Sequence, residues 1–492
     1  MTTAKNISMS QEREYDVVIV GAGPVGLATA IALYKRGIDN ILVIDQTRKF
    51  RRVGQVIDLL PNGLKSIKYI SPDAYQQVKE TAFQSLNSPL RNNAPSNSNE
   101  SEVKETKVPS KKQWHHKNLQ GEITSSVDLD FDSWFNRYGE GRISMSWYDL
   151  QTTLRNVLPA EIIQANHRCI NVEQNLAGVY LDCISDTTIT NNSFAHRKMD
   201  ISNSNDLDIS EKRQEDCYKR FRAKLVIAAD GINSTVRQII YAETDLQEFA
   251  KPKYSGFVAI GCSQIEAIPN AIREELESKY FQGDRVITLS NDAITSTDFD
   301  FHGLDQLRII LFCKPDQSMG YLLHTPLGLE AFQNKQPSEI ISLGIECLKN
   351  AGFPPVFADL LNLSNPEKLI HRPYYIHPAN TPSARQPFWS CGRVVLVGDA
   401  AHGMPPFMAQ GANQGLEDAA LISSLITQLI QDHCLDDEQA IAKAFHKYEE
   451  VRVPLMIKIQ EATMKNNHWS QQQWEQYSEM VYSRDYSSNY LQ

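Results

Sequence analysis

The sequence lacks features on which several classes of protein depend. Its eight cysteines are scattered through 492 residues without a CxxC pair, so we expect reduced thiols, no metal site and no dense disulfide framework. It contains no run of 18 consecutive apolar residues, and residues 1–16 lack the apolar core of a signal peptide. We therefore expect no membrane span and a cytoplasmic protein.

Positive charge is scarce as well. The formal net charge is -10 at pH 7, whereas general nucleic-acid binding requires a basic face, so we expect no nucleic-acid partner. Hydrophobic residues make up 41% of the chain, which is enough for a core of normal size in two or three domains. The composition leaves the oligomeric state open.

The first informative segment lies near the N-terminus. Residues 15–21, YDVVIVG, are typical of a buried parallel strand, residues 22–36 have a helical pattern, and residues 40–45 form a second strand pattern. Gly21, Gly23 and Gly26 have the GxGxxG spacing between strand and helix, and Asp45 ends the second strand. This context predicts a dinucleotide site, in which the helix start binds a pyrophosphate and the carboxylate binds a ribose diol.

Two later segments repeat the pattern of an apolar strand that ends in glycine and aspartate. Residues 224–240, KLVIAADGINSTVRQII, place Asp230 and Gly231 between a strand and a helix, with Arg237 and the helix start available for anions. Residues 393–425 place Gly398 and Asp399 after a strand, followed by a proline-containing loop and a helix that begins near 411–413. That helix start offers unpaired N–H groups, which would stabilise negative charge on a bound ring.

Together the three segments resemble the class A flavoprotein monooxygenases, the family of para-hydroxybenzoate hydroxylase. They are GAGPVG near the start, ADGINSTVR in the middle and GDAAHGMPPFMAQGANQGLEDA near the C-terminus. The resemblance implies one FAD, with NAD(P)H and O2 as co-substrates and no separate nicotinamide domain. It also implies hydroxylation of an aromatic or other electron-rich small molecule through a C4a-hydroperoxyflavin. Asp45 concerns the FAD site only, so NADH and NADPH remain open.

The resemblance also implies a set of cofactor-binding residues, but it identifies no catalytic residue. The set is Gly21, Gly23, Pro24, Val25, Gly26, Asp45, Arg52, Asp230, Gly231, Gly398, Asp399, Pro406, Gly411, Ala412 and Asn413. Trp147 stands where the family often has an arginine directed towards FAD, and Arg52 or Arg142 could replace that arginine. Met408 and Ala409 stand where family members have smaller residues, which would narrow the space near the flavin.

The expected fold is α/β, with a Rossmann-like FAD-binding domain interleaved with a mixed-sheet substrate domain, plus C-terminal helices. Antiparallel strand patterns between 256 and 323 are expected over the substrate. The predicted boundaries are 10–70, 136–240 and 386–430 for the FAD-binding domain, 71–135 and 241–385 for the substrate side, and 431–492 for the C-terminal helices. Polar composition predicts a mobile insertion at 85–118 and a hairpin excursion at 185–219.

Four further residues have simple interpretations. We expect His402 to be a loop histidine bonded to backbone, and Arg452 to form an ion pair that anchors the last helix. His324 and Tyr254 lie in the substrate region and are more easily explained by packing than by substrate contact.

Two alternatives to hydroxylation remain at this stage. One is an epoxidase, reductase or dehydrogenase on the same scaffold, and the other is a flavin-binding protein without turnover.

Overall fold

The computed structural model describes residues 13–52, 54–87, 113–185, 218–242, 244–291, 307–314, 316–379, 388–465 and 469–484. The chain divides into two compact units, each built from separated segments. Unit 1 comprises Met1–Ala82, Ile143–Lys253 and Ile376–Gln492, and unit 2 comprises Phe83–Arg142 and Tyr254–Tyr375.

The described residues form 17 strands and 14 α-helices. The strands are β1 (Glu14–Val20), β2 (Ile41–Ile44), β3 (Val56–Leu59), β4 (Gln113–Lys117), β5 (Ile123–Asp128), β6 (Ile143–Ser146), β7 (Ile163–Gln164), β8 (Arg168–Asn175), β9 (Gly178–Ile184), β10 (Tyr218–Ala228), β11 (Lys253–Ile265), β12 (Val286–Ser290), β13 (Arg308–Cys313), β14 (Met319–Pro326), β15 (Leu369–Ile376), β16 (Ser390–Cys391) and β17 (Val394–Leu396).

The helices are α1 (Pro24–Lys35), α2 (Pro61–Ile70), α3 (Pro72–Asn87), α4 (Phe131–Tyr138), α5 (Trp147–Arg155), α6 (Thr235–Tyr241), α7 (Asn270–Glu275), α8 (Leu329–Phe332), α9 (Pro337–Asn350), α10 (Pro355–Asn362), α11 (Asp399–His402), α12 (Gly411–Gln431), α13 (Glu438–Lys465) and α14 (Gln471–Tyr482). Leu276–Phe281 forms a π-helical turn, and Pro406–Met408 forms a 3₁₀ turn.

Unit 1 contains an eight-stranded sheet with the order β16-β17-β10-β1-β2-β7, to which β9 and β8 are added beside β10. The strands β17, β10, β1, β2 and β7 run parallel. Residues 17–19 of β1 and 225–228 of β10 are fully buried, as expected of parallel strands covered on both faces. Helix α1 is buried along most of its length because its sequence is apolar on almost every side.

Unit 2 contains a seven-stranded sheet with the order β15-β11-β14-β13-β12-β4-β5. β4 and β12 run parallel, whereas β12–β13, β13–β14, β11–β14 and β4–β5 are antiparallel, so the sheet is mixed. One face carries Val258, Ile260, Leu289, Ile309 and Leu323 and forms a hydrophobic core with residues of α9 and α10. The alternation of apolar and polar residues in these strands predicts such a one-sided core.

The fold class expected from the sequence is confirmed. Residues 88–112 of the predicted insertion and 186–217 of the predicted excursion lie outside the described residues. Both predicted segments end in regular structure. The last residues of the predicted insertion form β4, and β10 begins at Tyr218, inside the predicted excursion. The domain boundaries given above stay a prediction.

Among the described residues, no helix combines the length and apolarity needed to cross a membrane. The same part of the chain contains no group of three or more His, Cys, Asp or Glu side chains that could hold a metal ion.

Candidate functional site

The three sequence motifs meet at one edge of the parallel sheet. β1 and β10 are neighbours with Val20 opposite Ala228, and β10 and β17 are neighbours with Ala228 opposite Leu396. Adjacent strands are about 4.8 Å apart, so the turns after these strands lie within about 10 Å of one another. Ligands of open α/β sheets bind at this edge, outside the carboxyl ends of the strands.

The three glycines of the first turn have different surroundings. Gly21 has φ +108°, and a Cβ there would lie 2.3 Å from the Ala229 carbonyl oxygen. A Cβ at Gly26 would lie 2.0 Å from the Gly21 carbonyl oxygen. At Gly23, however, the nearest atom to an added Cβ is Cζ2 of Trp147, 4.0 Å away. The protein's own packing thus requires Gly21 and Gly26, whereas Gly23 borders open space.

Asp45 lies at the end of β2, beside the first turn. Its Oδ2 accepts a hydrogen bond from the Ala22 N–H at 2.7 Å, and its Oδ1 accepts one from the Thr47 N–H at 2.7 Å. Each carboxylate oxygen has a further lone pair, so Asp45 can still accept hydrogen bonds from a diol. Gln151, which the sequence did not single out, donates from Nε2 to the Ala22 carbonyl oxygen at 2.7 Å and holds the turn from the other side.

Asp230 has one satisfied and one unsatisfied carboxylate oxygen. Oδ2 accepts from the N–H groups of Thr235 (2.8 Å) and Val236 (3.2 Å) at the start of α6. Oδ1 is buried and has no hydrogen-bond partner within the described residues. Burial raises the pKa of this carboxyl above its ordinary value. A buried carboxylate oxygen without a donor is costly, and a ligand hydroxyl would remove that cost.

The described hydrogen bonds of Arg237 are to backbone carbonyl oxygens, whereas the sequence predicted that it meets an anion. The fully buried guanidinium donates from Nε to the Phe249 carbonyl oxygen at 2.7 Å, and from Nη1 to those of Ala400 (2.8 Å) and Ala401 (2.9 Å). The start of α6 is also occupied, because Ser234 and Asp230 accept its N–H groups. Arg237 therefore ties the second turn to the third.

The third turn presents Asp399 beside the start of α12. Gly398 has φ +58°, where glycine is favoured, and a Cβ there would lie 3.2 Å from Cγ2 of Val25. Oδ1 of Asp399 lies 3.6 Å from a Cβ placed on Gly411. The Asp399 side chain is exposed, yet enough protein surrounds it that desolvation raises the pKa of its carboxyl. The Asp399 carboxylate is thus open to solvent on one side and surrounded by protein on the others. We call the space beside Asp399 and Gly411 the recess.

Helix α12 begins at this recess with unpaired donors. Within the described part of the chain, no hydrogen bond engages the N–H groups of Gly411, Ala412 or Asn413, the first three residues of the helix. The Asn413 side chain is occupied, because Nδ2 donates to the carbonyl oxygens of Asp58 (2.9 Å) and Ala409 (2.6 Å). Its Oδ1 accepts from the Leu60 N–H at 2.9 Å. Asn413 thus fixes the helix start and leaves the backbone donors available.

The loop before α12 is constrained by its sequence. Pro406 begins the 3₁₀ turn that ends at Met408, and Ala409 follows with φ +52° in the left-handed region. A residue with a Cβ costs about 1–2 kcal/mol more than glycine in this conformation. The hydrogen bond from Asn413 to the Ala409 carbonyl oxygen helps to hold the residue there.

Trp147 covers the region where the family's arginine would lie. Its side chain packs on Gly54, where an added Cβ would lie 2.8 Å from the Trp147 Cβ. Arg52 is exposed and lies 3.7 Å from the Asp149 carboxylate. Arg142 belongs to unit 2, where it donates to the Asp128 carbonyl oxygen at 3.4 Å. The described contacts of both arginines are thus with residues outside the three turns.

Comparison with known proteins agrees with this geometry. The FAD binding domain family matches residues 14–55 and 355–459. The chain is 25% identical over 469 residues to 6-hydroxynicotinate 3-monooxygenase of Bordetella bronchiseptica, covering 92% of this chain and 91% of that protein. It is 22% identical over 453 residues to 3-amino-4-hydroxybenzoate 2-monooxygenase PtmB3 of Streptomyces platensis, covering 92% and 87%. The chain is a FAD-dependent class A flavoprotein monooxygenase.

Solved structures support the fold of this monooxygenase. HpxO of Klebsiella pneumoniae in complex with FAD and uric acid superposes with a TM-score of 0.57 at 18% identity, covering 96% of this chain and 93% of that one. CtdE in complex with FAD and a substrate gives a TM-score of 0.61 at 16% identity, covering 95% of each chain.

The residues at the sheet edge fit FAD. The open space at Gly23, the unsatisfied Oδ1 of Asp230 and the free N–H groups of α12 are each complementary to a part of a flavin dinucleotide. When bound, FAD takes electrons from NAD(P)H and activates O2. The chain's own residues bind and orient the cofactor and hold the polar groups of the recess in place.

A cluster of buried charged side chains contacts the third turn of the monooxygenase. Asp418 of α12 accepts hydrogen bonds from the Gly398 N–H (2.8 Å) and Arg452 Nε (2.7 Å), and its Oδ2 lies 2.6 Å from His402 Nε2. Arg452 also donates from Nη1 to the Glu417 carboxylate at 2.6 Å, and Arg484 pairs with the same carboxylate. These contacts link the C-terminal helices to the turn that carries Asp399.

The cluster confirms one expectation and corrects another. Arg452 forms the predicted ion pair, with Asp418 and Glu417. The His402 side chain, which we expected to bond to backbone, instead lies against the Asp418 carboxylate and is fully buried. The sequence places these partners 16 residues apart, so no local pattern indicates the contact.

The charged cluster should make stability depend on pH in acid. Burial alone would raise the pKa of Asp418, but His402 and Arg452 lower it to about 2. A carboxyl with a depressed folded pKa contributes stability that is present above its unfolded pKa and is lost as pH falls through the folded value. We expect a loss of about 2 kcal/mol from this group between pH 4 and pH 2.

Urea unfolding at a series of pH values measures this dependence. The matched control is Asp418→Asn, which keeps the size of the side chain but has no titrating group. The difference between the two proteins should shrink as pH falls. A difference that stays constant from pH 5 to pH 2 would contradict the assignment.

Proposed function

We propose that this monooxygenase hydroxylates a small aromatic molecule, and that the turns after β1, β10 and β17 form its single FAD site. The observation that carries the proposal is the meeting of these three turns at one edge of the sheet. Three independent features there support the proposal. They are the open space at Gly23, a carboxylate oxygen without a hydrogen-bond partner among the described residues, and a helix start whose N–H groups have no partner in the same part of the chain.

The proposed roles follow the geometry of each part. Gly23, Pro24 and the start of α1 bind the pyrophosphate, because the helix start is positive and no Cβ intervenes. Asp45 binds the ribose diol, and Asp230 and Asp399 bind hydroxyls of the ribityl chain. The N–H groups of α12 bind the electron-rich edge of the flavin. The full proposed set is Gly21, Gly23, Pro24, Val25, Gly26, Asp45, Arg52, Asp230, Gly231, Gly398, Asp399, Pro406, Gly411, Ala412 and Asn413.

Some members of this set shape the site without offering side-chain groups. Gly21, Gly26 and Gly398 allow close packing, and Val25 packs on Gly398 and Gly415. Asn413 acts through its backbone, because its side chain is already bonded. Arg52 is the least constrained member, since its side chain is 82% exposed.

The substrate class is supported by the relatives' names. 6-Hydroxynicotinate and 3-amino-4-hydroxybenzoate, the compounds in those names, are both hydroxylated aromatic acids. We propose an electron-rich aromatic substrate of similar size for this chain, with O2 and NAD(P)H as co-substrates. We also propose a cytoplasmic location, supported by cysteines that are scattered rather than paired.

The test combines cofactor content with product analysis. Purified protein should be yellow and contain one FAD per chain. A panel of phenols and hydroxylated heteroaromatic compounds should include members that accelerate both NAD(P)H oxidation and O2 uptake. With isotopically labelled O2, the product should gain one labelled oxygen atom. Accelerated NAD(P)H oxidation with a product that gains no oxygen would instead support a reductase or dehydrogenase.

A further inference from the structure

The indole ring of Trp147 lies between two glycines of unit 1 that belong to different loops. A Cβ added at Gly54 would lie 2.8 Å from Cβ, 3.2 Å from Cγ and 3.4 Å from Cδ2 of Trp147. Gly54 has φ +93°, which favours glycine, so the loop can approach the ring closely. At the far edge of the ring, Cζ2 lies 4.0 Å from a Cβ placed on Gly23. The indole therefore borders the open space at Gly23.

The backbone around Trp147 fixes the ring in this place. Trp147 is the first residue of α5, and its N–H donates to the Gln55 carbonyl oxygen at 2.9 Å. Gln151 lies one turn further along the same helix and donates from Nε2 to the Ala22 carbonyl oxygen at 2.7 Å. These two bonds tie the start of α5 to the loop before β3 and to the first glycine turn.

The indole N–H of Trp147 is available to a ligand. It forms no hydrogen bond with any residue in the described part of the chain. In the indole ring Nε1 and Cζ2 are both bonded to Cε2, so the N–H lies on the edge that borders Gly23. The side chain is half-buried, which leaves this edge accessible. An indole N–H can only donate, so the ligand atom that it binds must be an acceptor.

The space at Gly23 favours an anion as that acceptor. Gly23 is the N-cap of α1, where backbone N–H groups and the helix dipole attract negative charge. The edge of an aromatic ring is the positive end of its quadrupole, so the indole adds to this preference without a formal charge. Arg52 is 82% exposed, and its described contacts are with Asp149 and the ring of Tyr148. The described geometry thus places a neutral side chain at this space.

We propose that Trp147 binds the diphosphate of FAD through its indole N–H, as a neutral donor opposite the start of α1. The inference rests on the proposed function and adds Trp147 to the residues that bind the cofactor. A hydrogen bond to a charged phosphate oxygen is stronger than one between neutral groups. Unlike an ion pair, it is not formed between two charges and is therefore less sensitive to salt.

Ligand binding by the apoprotein of Trp147→Phe tests the proposal. The substitution removes the N–H and keeps an aromatic ring on Gly54, so the midpoint of urea unfolding of the apoprotein should change little. The probes are FAD and ADP, because ADP contains the diphosphate without the flavin. The dissociation constants of both should rise by the same factor, about 10-fold. Calorimetric titration measures both affinities without relying on turnover.

Two further variants complete the design. Trp147→Arg replaces the neutral donor by a guanidinium, which pairs with phosphate oxygens. It should bind FAD about 3-fold or more tightly than the unsubstituted protein at about 20 mM salt, and this gain should disappear at about 500 mM salt. Trp474→Phe removes an indole N–H elsewhere in unit 1, from a residue that is 38% exposed, and should leave the binding of FAD and ADP unchanged.

The inference fails if Trp147→Phe binds FAD and ADP as tightly as the unsubstituted protein. It also fails if FAD binding weakens while ADP binding does not, because the contact would then be with the flavin half. A Trp147→Arg protein whose FAD affinity is no more sensitive to salt would contradict the position of the ring beside the diphosphate. The proposed function is refuted separately, by an unsubstituted protein that binds no FAD.

Discussion

Gly23→Ala should weaken FAD binding about 10- to 100-fold and leave the stability of the apoprotein unchanged. Gly23 has φ -73° and ψ 172°, which alanine adopts without strain. Among the described residues other than its chain neighbours, no atom lies closer than 4.0 Å to an added Cβ. The methyl group would occupy the space proposed for the pyrophosphate, and overpacking by a methyl group costs about 1–3 kcal/mol. FAD titration of the apoprotein measures the affinity, and thermal unfolding measures the stability.

Gly26→Ala is the matched control, three residues away in the same motif. Its Cβ would lie 2.0 Å from the Gly21 carbonyl oxygen, so the clash is with the protein itself. This variant should lose about 3 kcal/mol or more of apoprotein stability, with or without FAD. Equal effects of the two substitutions on the apoprotein would show that Gly23 has a packing role rather than a binding role.

Arg452→Met should be the most destabilising single change in the C-terminal helices. It leaves the carboxylates of Asp418 and Glu417 buried without their main partner, and breaking a buried ion pair in this way costs about 3–5 kcal/mol. The Gly398 turn depends on Asp418 for a hydrogen bond, so FAD should also be released more easily. Urea unfolding and FAD retention on gel filtration measure the two effects.

Arg452→Lys and His446→Gln provide the comparison for this prediction. Lysine keeps the charge but cannot donate to Asp418, Glu417 and Gln414 together, so we expect an intermediate loss. His446 forms an exposed contact with Glu450 on the same helix and should contribute less than about 1 kcal/mol. A stable, FAD-retaining Arg452→Met protein would exclude the proposed support of the third turn.

The sequence predicts the binding edge of unit 1 well because the decisive patterns are local. Each of the three turns combines an apolar strand with glycine and aspartate, and parallel neighbouring strands bring their carboxyl ends to one edge. The sequence alone therefore places Gly21, Asp230 and Asp399 together. The start of α12 was equally visible, since Gly411 follows a run of loop residues.

The residues that support this edge could not be predicted in the same way. Asp418 and Arg452 are 34 positions apart on two helices. The sequence around a charged helical residue does not show whether that residue is buried in an ion pair or exposed to solvent. For Arg237 the sequence predicts contact with an anion. Its hydrogen bond to the Ala400 carbonyl oxygen depends on tertiary packing and leaves no local sequence pattern.

Hydrogen–deuterium exchange with and without FAD tests the central claim most directly. If the three turns form one FAD site, the cofactor should slow exchange together in residues 21–27, 229–236 and 398–414. The N–H groups of Gly411, Ala412 and Asn413, which lack partners within the described chain, should show among the largest changes. Protection confined to the first turn, with residues 398–414 unaffected, would contradict the account.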